Sequence, residues 1–158
     1  LRTHGKSTWE LLFTHFRMIN KNFDPILKPG MWRLESRPMI ASVAMEMGAA
    51  IYRVGDGTHT LVTNATANFE GIMAEAIAST DADYATSLKM KKVWIPLSPR
   101  AEAQFTVGAG TFTSADIGKS VKFNDSKSVA VDTAGTQFVM TKYQSSTKGE
   151  GFFNQAIT

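Results

Sequence analysis

The 158-residue chain carries 17 Lys and Arg residues against 14 Asp and Glu residues, a formal net charge of +3 at pH 7. Its length suffices for one domain with a proper core, and a hydrophobic content of 43% indicates a globular chain. The absence of cysteine excludes disulfides, thiolate catalysis and cysteine-ligated zinc. No apolar run approaches the roughly 20 residues that span a bilayer, and no signal-peptide pattern appears. We therefore expect neither a membrane span nor secretion.

The positive charge is concentrated in the first quarter of the chain. Residues 1–37 hold seven Lys and Arg residues against three acids, whereas the remainder holds ten against eleven. A basic segment on a nearly neutral domain predicts an acidic partner surface. The alternative is a short basic arm that is merely solvated.

A short helix is predicted near the start of the chain, over about residues 8–19. The run Ser7–Glu10 has the form of a capping box, with a hydroxyl residue followed three positions later by Glu. Behind it, apolar side chains recur at helical spacing on one face. An isolated helix of this length is marginal in water, so we expect it to dock on its own domain or on a neighbouring chain.

Residues 22–40 contain three prolines, which favour extended and irregular backbone, yet the stretch is apolar where a flexible linker would be polar. We therefore interpret residues 1–40 as an N-terminal arm that packs partly on another protein; the alternative is that it wraps its own barrel. The arm residues expected to bind a partner are Trp9, Leu12, Phe13, Phe16, Ile19, Phe23, Trp32, Arg33 and Arg37.

From residue 41 the chain changes to short apolar runs separated by turn residues every 8–12 positions, which is typical of all-β domains. The fold class predicted is mostly β: a small β-barrel or β-sandwich-like domain over residues 41–158, with an extended N-terminal arm containing one short helix. The strands are expected at residues 49–54, 58–62, 69–77, 90–97, 101–107, 120–123, 128–131, 138–143 and 151–157. A hairpin turn is expected at Gly55–Gly57, and a short turn or 3₁₀ piece closed by Gly118 is expected at Thr113–Asp116.

Three stretches carry a resemblance to a known family. Tyr52–Gly57 is a strand end with a glycine turn, Phe69–Ala76 has the sequence FEGIMAEA, and Gly110–Val121 has the sequence GTFTSADIGKSV. Together they resemble the small β-barrel decoration, or cement, proteins of tailed-phage heads, similar to the lambda-type decoration proteins. The resemblance covers about residues 45–145 and rests on turn and packing features.

This resemblance implies a non-enzymatic virion structural protein. It implies binding to the outer surface of the major capsid protein lattice, stabilisation of the head and assembly as a homo-oligomer, with a trimer favoured. The protein would be made in the host cytoplasm and reside on the outside of the capsid, with no cofactor. Another virion component, from the tail or the head–tail joint, is an alternative.

Candidate chemistry in the sequence is sparse. Gly118–Ser120 resembles the end of a phosphate-binding loop, but Thr113 stands where that loop needs Gly, and an alternating strand pattern follows. The histidines His4, His15 and His59 are scattered, and none has a second ligand at metal spacing. The loop acids Asp81 and Asp83 lack the further ligands of a calcium loop. We therefore expect neither an enzyme nor a metal protein.

The remaining alternative is a nucleic-acid-binding barrel with a basic arm. Lys89, Lys91 and Lys92 cluster near Trp94, and cations interleaved with an aromatic ring can stack single-stranded nucleic acid. A solvated strand face beside a core tryptophan explains the same pattern, and we favour that explanation.

Overall fold

The computed structural model describes residues 22–66 and 68–154, and within these ranges the chain is mostly β, which confirms the predicted fold class. The expected helix over residues 8–19 lies outside the described residues. No helix among the described residues is long and apolar enough to cross a membrane. The strands, with one 3₁₀ helix, are β1 (Asp24–Pro25), β2 (Trp32–Met39), β3 (Ala50–Arg53), β4 (His59–Leu61), β5 (Gly71–Met73), β6 (Lys89–Pro96), β7 (Glu102–Ala109), the 3₁₀ helix Ser114–Asp116, β8 (Ser120–Asp125), β9 (Ser128–Ala134), β10 (Phe138–Ser145) and β11 (Lys148–Phe153).

The first half of the described chain forms a closed barrel, here called the first barrel, with strand order β2-β4-β3-β5-β6. Neighbouring strands are antiparallel except at the β2–β4 contact, which is parallel. Strand side chains alternate between two faces, and the inward positions fill a small aliphatic core. Its buried members are Met39, Met45, Ala49, Ile51, Met73, Ile77, Val93 and Ile95.

The second half forms a sheet with strand order β1-β7-β11-β10-β8-β9. An additional parallel pairing of β7 with β9 connects the ends of the β7-to-β9 series, so these strands also close into a ring, here called the second barrel. The two-residue strand β1 pairs with the amino-terminal half of β7, at Ala103 and Gln104. The contact of β7 with β9 begins further along β7, at Val107. Closure of both rings removes most of the unpaired edges through which sheets aggregate.

A core of aromatic side chains joins the two barrels. Phe69, which precedes β5, stacks on Phe153 of β11 with ring centroids 3.7 Å apart. Phe23 lies 5.0 Å from the same Phe153 ring. Trp32 of the first barrel donates its indole N–H to the carbonyl oxygen of Glu102 in β7 at 2.9 Å. The outer wall of the first barrel and the interior of the second barrel therefore form one continuous core.

The sequence placed Trp32–Met39 in the arm, and the structure corrects this, because these residues form β2 in the wall of the first barrel. Of the three prolines that led to the expectation of irregular backbone over residues 22–40, Pro38 lies within this strand. Its carbonyl oxygen faces β4, where it accepts from His59, and in an extended strand the nitrogen of the same residue faces the same side. Since β6 lies on the other side of β2, the missing N–H removes no bond from the β2–β6 ladder.

Two of the turns appear where the sequence predicted them. The Asp56–Gly57 turn connects β3 and β4; Gly57 has a positive φ of 89°, and Asp56 accepts the backbone N–H of Thr58 at 2.9 Å. The corner before β8 is the expected 3₁₀ piece, in which Asp116 caps Thr113 and Gly118 adopts a φ of 87°. Such residues supply conformations that other side chains disfavour, so short-range sequence predicts them.

Candidate functional site

The structure places the predicted partner-binding residues in two different environments. Phe23 and Trp32 are only 2% and 8% exposed and belong to the core between the barrels. The expectation that they bind a partner is therefore corrected, because each already packs within its own chain. Trp9, Leu12, Phe13, Phe16 and Ile19 lie outside the described residues, and their role stays a prediction.

Arg33 and Arg37, the other two predicted contacts, belong to an ion-pair network on β2. Both guanidinium groups contact the carboxylate of Glu35, which lies between them on the strand. Arg37 also donates from Nε to Oε1 of Glu70 at 3.1 Å. The Arg37 side chain is about a quarter exposed, whereas that of Arg33 is more than half exposed. Arg37 is thus committed within the chain, and Arg33 is the more available cation.

His59 extends the same network into the barrel wall. Its ring is almost fully buried, and Nδ1 lies 2.9 Å from the carbonyl oxygen of Pro38. Nε2 lies 3.0 Å from Oε2 of Glu70, close enough for an ion pair, although its alignment falls short of a hydrogen bond. No pattern in the sequence indicates this pairing, because the two residues are eleven positions apart and Glu70 lies in the loop before β5.

These neighbours set the charge of Glu70. Contact with His59, followed by the smaller contribution of Arg37, lowers the pKa of Glu70, while burial of the carboxylate opposes the change. Glu70 therefore stays ionised through the neutral range. Together with Arg33 and Glu35, these residues form one continuous network of charged and titratable side chains.

The lysine cluster near Trp94 does not form a stacking platform. Lys89 is 6% exposed, and its ammonium donates to the carbonyl oxygens of Tyr84, Ile40 and Thr86 at 2.8, 3.0 and 3.2 Å. Lys91 pairs with Asp83 at 3.4 Å, and the Trp94 ring is buried in the core. Two of the three cations and the aromatic ring are therefore engaged internally.

Two large apolar side chains are exposed on the outer side of the first barrel. The register pairs Leu34 with Trp94 and Pro38 with Met90, so Leu34 and Met90 point to the same side of β2 and β6. Leu34 is 44% exposed and Met90 is 57% exposed, and the cationic Lys92 lies on the same side between Met90 and Trp94. We call Leu34, Met90 and Lys92 the β2–β6 face. Alternation along Met90–Trp94 was visible in the sequence, but not which residues the second barrel would cover.

The described residues show little that points to small-molecule chemistry. Among residues 22–66 and 68–154, no group of His, Asp and Glu side chains is arranged to hold a metal ion. One cleft beside β1, lined in part by Phe23, Asp24 and Met47, has room for about one water molecule. In the Gly118–Ser120 corner, Lys119 pairs with Asp116 at 2.7 Å and a strand follows, as expected for a structural turn.

Comparison with protein-family models finds no match to this chain, and comparison with curated proteins finds no significant relative.

Proposed function

We propose that the protein is a virion structural component, a head decoration protein that binds the outer surface of a major capsid protein lattice and stabilises it. The observation that carries this proposal is the β2–β6 face, where two exposed apolar side chains lie on the same side of the barrel wall. An exposed apolar patch rimmed by polar residues commonly marks a binding site for another protein. The resemblance of the turn motifs to phage decoration proteins gives that partner its identity.

The amino-terminal residues supply the second part of the proposed contact. Trp9, Phe13 and Phe16 are large apolar side chains in a basic segment that precedes Asn22 in the sequence. Burying apolar area contributes about 25 cal/mol per Å², so several hundred Å² offset a substantial ordering cost. Many copies bound to one shell stabilise the assembled state by mass action.

The β2–β6 face is tested by co-sedimentation with shells assembled from the major capsid protein of the same virus. The double variant Leu34→Ser/Met90→Ser is expected to bind at least about tenfold more weakly, since two apolar contacts are lost. Ile117→Ser is the matched control, because Ile117 is equally exposed, at 46%, in the 3₁₀ corner. Equal binding by all three proteins would exclude this face as the contact.

The amino-terminal contribution is tested by deleting residues 1–20. The deletion leaves Asn22 and Phe23, which are buried in the fold, so the barrels are expected to stay folded. We expect shell binding to fall sharply, because the aromatic segment is removed. Substituting the polar residues Glu10 and Thr14 with Ala is the control and is expected to bind as the unchanged protein does. Full binding by the deletion variant would restrict the contact to the barrels.

The nucleic-acid alternative makes a different prediction in the same assay. It requires binding to oligonucleotides that weakens steeply with salt, because counterions are released from the phosphates. The internal engagement of Lys89, Lys91 and Trp94 argues against it. Salt-sensitive oligonucleotide binding without shell binding would replace the decoration proposal. Binding to tails or to head–tail joints instead of shells would assign the protein to those parts of the virion.

A further inference from the structure

The first barrel closes through a very short seam between β2 and β4. In the described part of the chain, these strands share one residue pair, Met39 with His59. The backbone N–H of Ile40 donates to the carbonyl oxygen of His59 at 3.1 Å. The second link is made by the His59 side chain, whose Nδ1 reaches the Pro38 carbonyl oxygen at 2.9 Å. One histidine thus provides both the backbone and the side-chain link across the seam.

The protonation of His59 follows from its neighbours. A carbonyl oxygen only accepts hydrogen bonds, so Nδ1 must carry the hydrogen that points to Pro38. In a neutral ring, Nε2 would then present a lone pair to Oε2 of Glu70, which is 3.0 Å away. Two acceptors facing each other at this distance repel, and the ring, which is 2% exposed, gives Nε2 little access to water. The contact is favourable only when a further proton lies between Nε2 and Oε2, in addition to the hydrogen on Nδ1.

The surrounding charges decide where that proton resides. Arg37 on β2 donates to the other oxygen of Glu70 and favours the ionised carboxylate, while Glu35 neutralises the far side of Arg37. Arg53, the cross-strand neighbour of His59 on β3, is exposed. On the β6 side, Lys89 directs its ammonium to three carbonyl oxygens. Glu70 is therefore the ionised carboxylate that faces Nε2 of His59.

We propose that a proton between Nε2 of His59 and Glu70 stabilises the closed first barrel. Loss of this proton at alkaline pH would weaken the β2–β4 seam. The device is independent of the partner that the protein binds. The stability of the closed barrel that carries the β2–β6 face would then depend on pH.

The first test reads the protonation state directly. The double variant His4→Gln/His15→Gln leaves His59 as the single histidine of the full chain. Its ring ¹⁵N shifts at pH 7 are expected to be similar to each other, as in an imidazolium with both nitrogens protonated. Widely separated shifts, which mark a neutral ring, would overturn the proposal without any change at His59 or Glu70.

The second test compares Glu70→Gln with Glu150→Gln by urea unfolding at pH 7 and pH 9. In Glu70→Gln the amide can donate to a neutral Nε2, so the ring is expected to become neutral at pH 7 and the alkaline loss of stability to disappear. Glu150 pairs with Lys142 on the second barrel, so Glu150→Gln removes the same charge away from the seam. The unchanged protein and Glu150→Gln are expected to lose urea midpoint between pH 7 and 9. An equal fall in the urea midpoint of both variants would refute the proposal.

Discussion

Asp24 and Glu70 are both partly buried carboxylates, but their surroundings move their pKa values in opposite directions. Glu70 faces His59 and Arg37, which favour the ionised form and lower its pKa. Asp24 lies on β1 beside the cleft at Met47, and burial raises its pKa to about 6. At this scale the neighbours of a carboxylate, and not its position in a strand, decide whether its charge favours the folded state.

Asp24 makes stability depend on pH with a defined sign. Its folded-state pKa lies above the unfolded value of 3.8, so its stabilising contribution is fully present below pH 3.8 and is lost as the pH rises through about 6. Asp24→Asn is expected to raise the free energy of unfolding by about 1 kcal/mol at pH 8, after allowance for solvent screening, and to change little at pH 3.5.

Urea unfolding at the two pH values measures the Asp24 effect. Asp132→Asn, at an exposed position on β9, is the control and should alter stability equally at both. If Asp24→Asn raises the free energy of unfolding equally at pH 3.5 and pH 8, ionisation of Asp24 is not the cause of the increase.

The strands β10 and β11 illustrate how glycine sets the packing of an element. A methyl group at Gly151 would lie 2.3 Å from the carbonyl oxygen of Val139 and 2.4 Å from the ring of Phe138. Gly149, two residues earlier on the same side, would meet the ring of Phe112 at 2.5 Å. The absence of side chains at these positions is what allows the aromatic rings to cover β11.

Gly151→Ala is therefore expected to destabilise the protein by about 3 kcal/mol, because backbone and a packed ring must both move to admit the methyl group. Gly55→Ala is the matched control, since the same methyl group at Gly55 would meet nothing within 4 Å. Chemical denaturation followed by far-UV circular dichroism measures both variants. Similar stabilities for the two variants would contradict the close approach at β11.

At the scale of the whole molecule, the two barrels share one core and should unfold as one unit. Phe153 of the second barrel contacts Phe69 and Trp32 of the first, with ring centroids 3.7 and 6.4 Å away. Neither barrel can separate from the other without exposing these rings. The structure therefore has two barrels with one joint core, where the sequence predicted one small barrel or sandwich.

Phe153→Ala tests this cooperativity. It is expected to lower the free energy of unfolding by about 3–5 kcal/mol, as measured by hydrogen exchange, and by the same amount for the slowest amides of both barrels. Phe152→Ala changes the neighbouring, partly exposed ring, which lies 5.7 Å from Arg100, and is expected to cost less. A fall confined to the second barrel would show that the barrels unfold independently.

Strand periodicity and turn chemistry are local, and the sequence by itself determined them. The alternation over 90–97, the Asp56–Gly57 turn and the 3₁₀ corner before β8 all appear in the structure close to their predicted positions. Each depends on neighbours within a few residues, through side-chain alternation or tolerance of positive φ. The mostly β fold class follows from the same signals.

Only the tertiary structure decided what each strand pairs with and which side chains become buried. Trp32–Met39 looked like part of an arm because Pro38 disfavours strands, yet its nitrogen faces a seam that makes no ladder bond there. Phe23 was predicted to contact a partner, whereas the structure places it in the aromatic core. His59, Glu70 and Arg37 form a network only because closure of the first barrel brings three separate segments together. Such contacts depend on chain closure over long sequence separations, which no local pattern encodes.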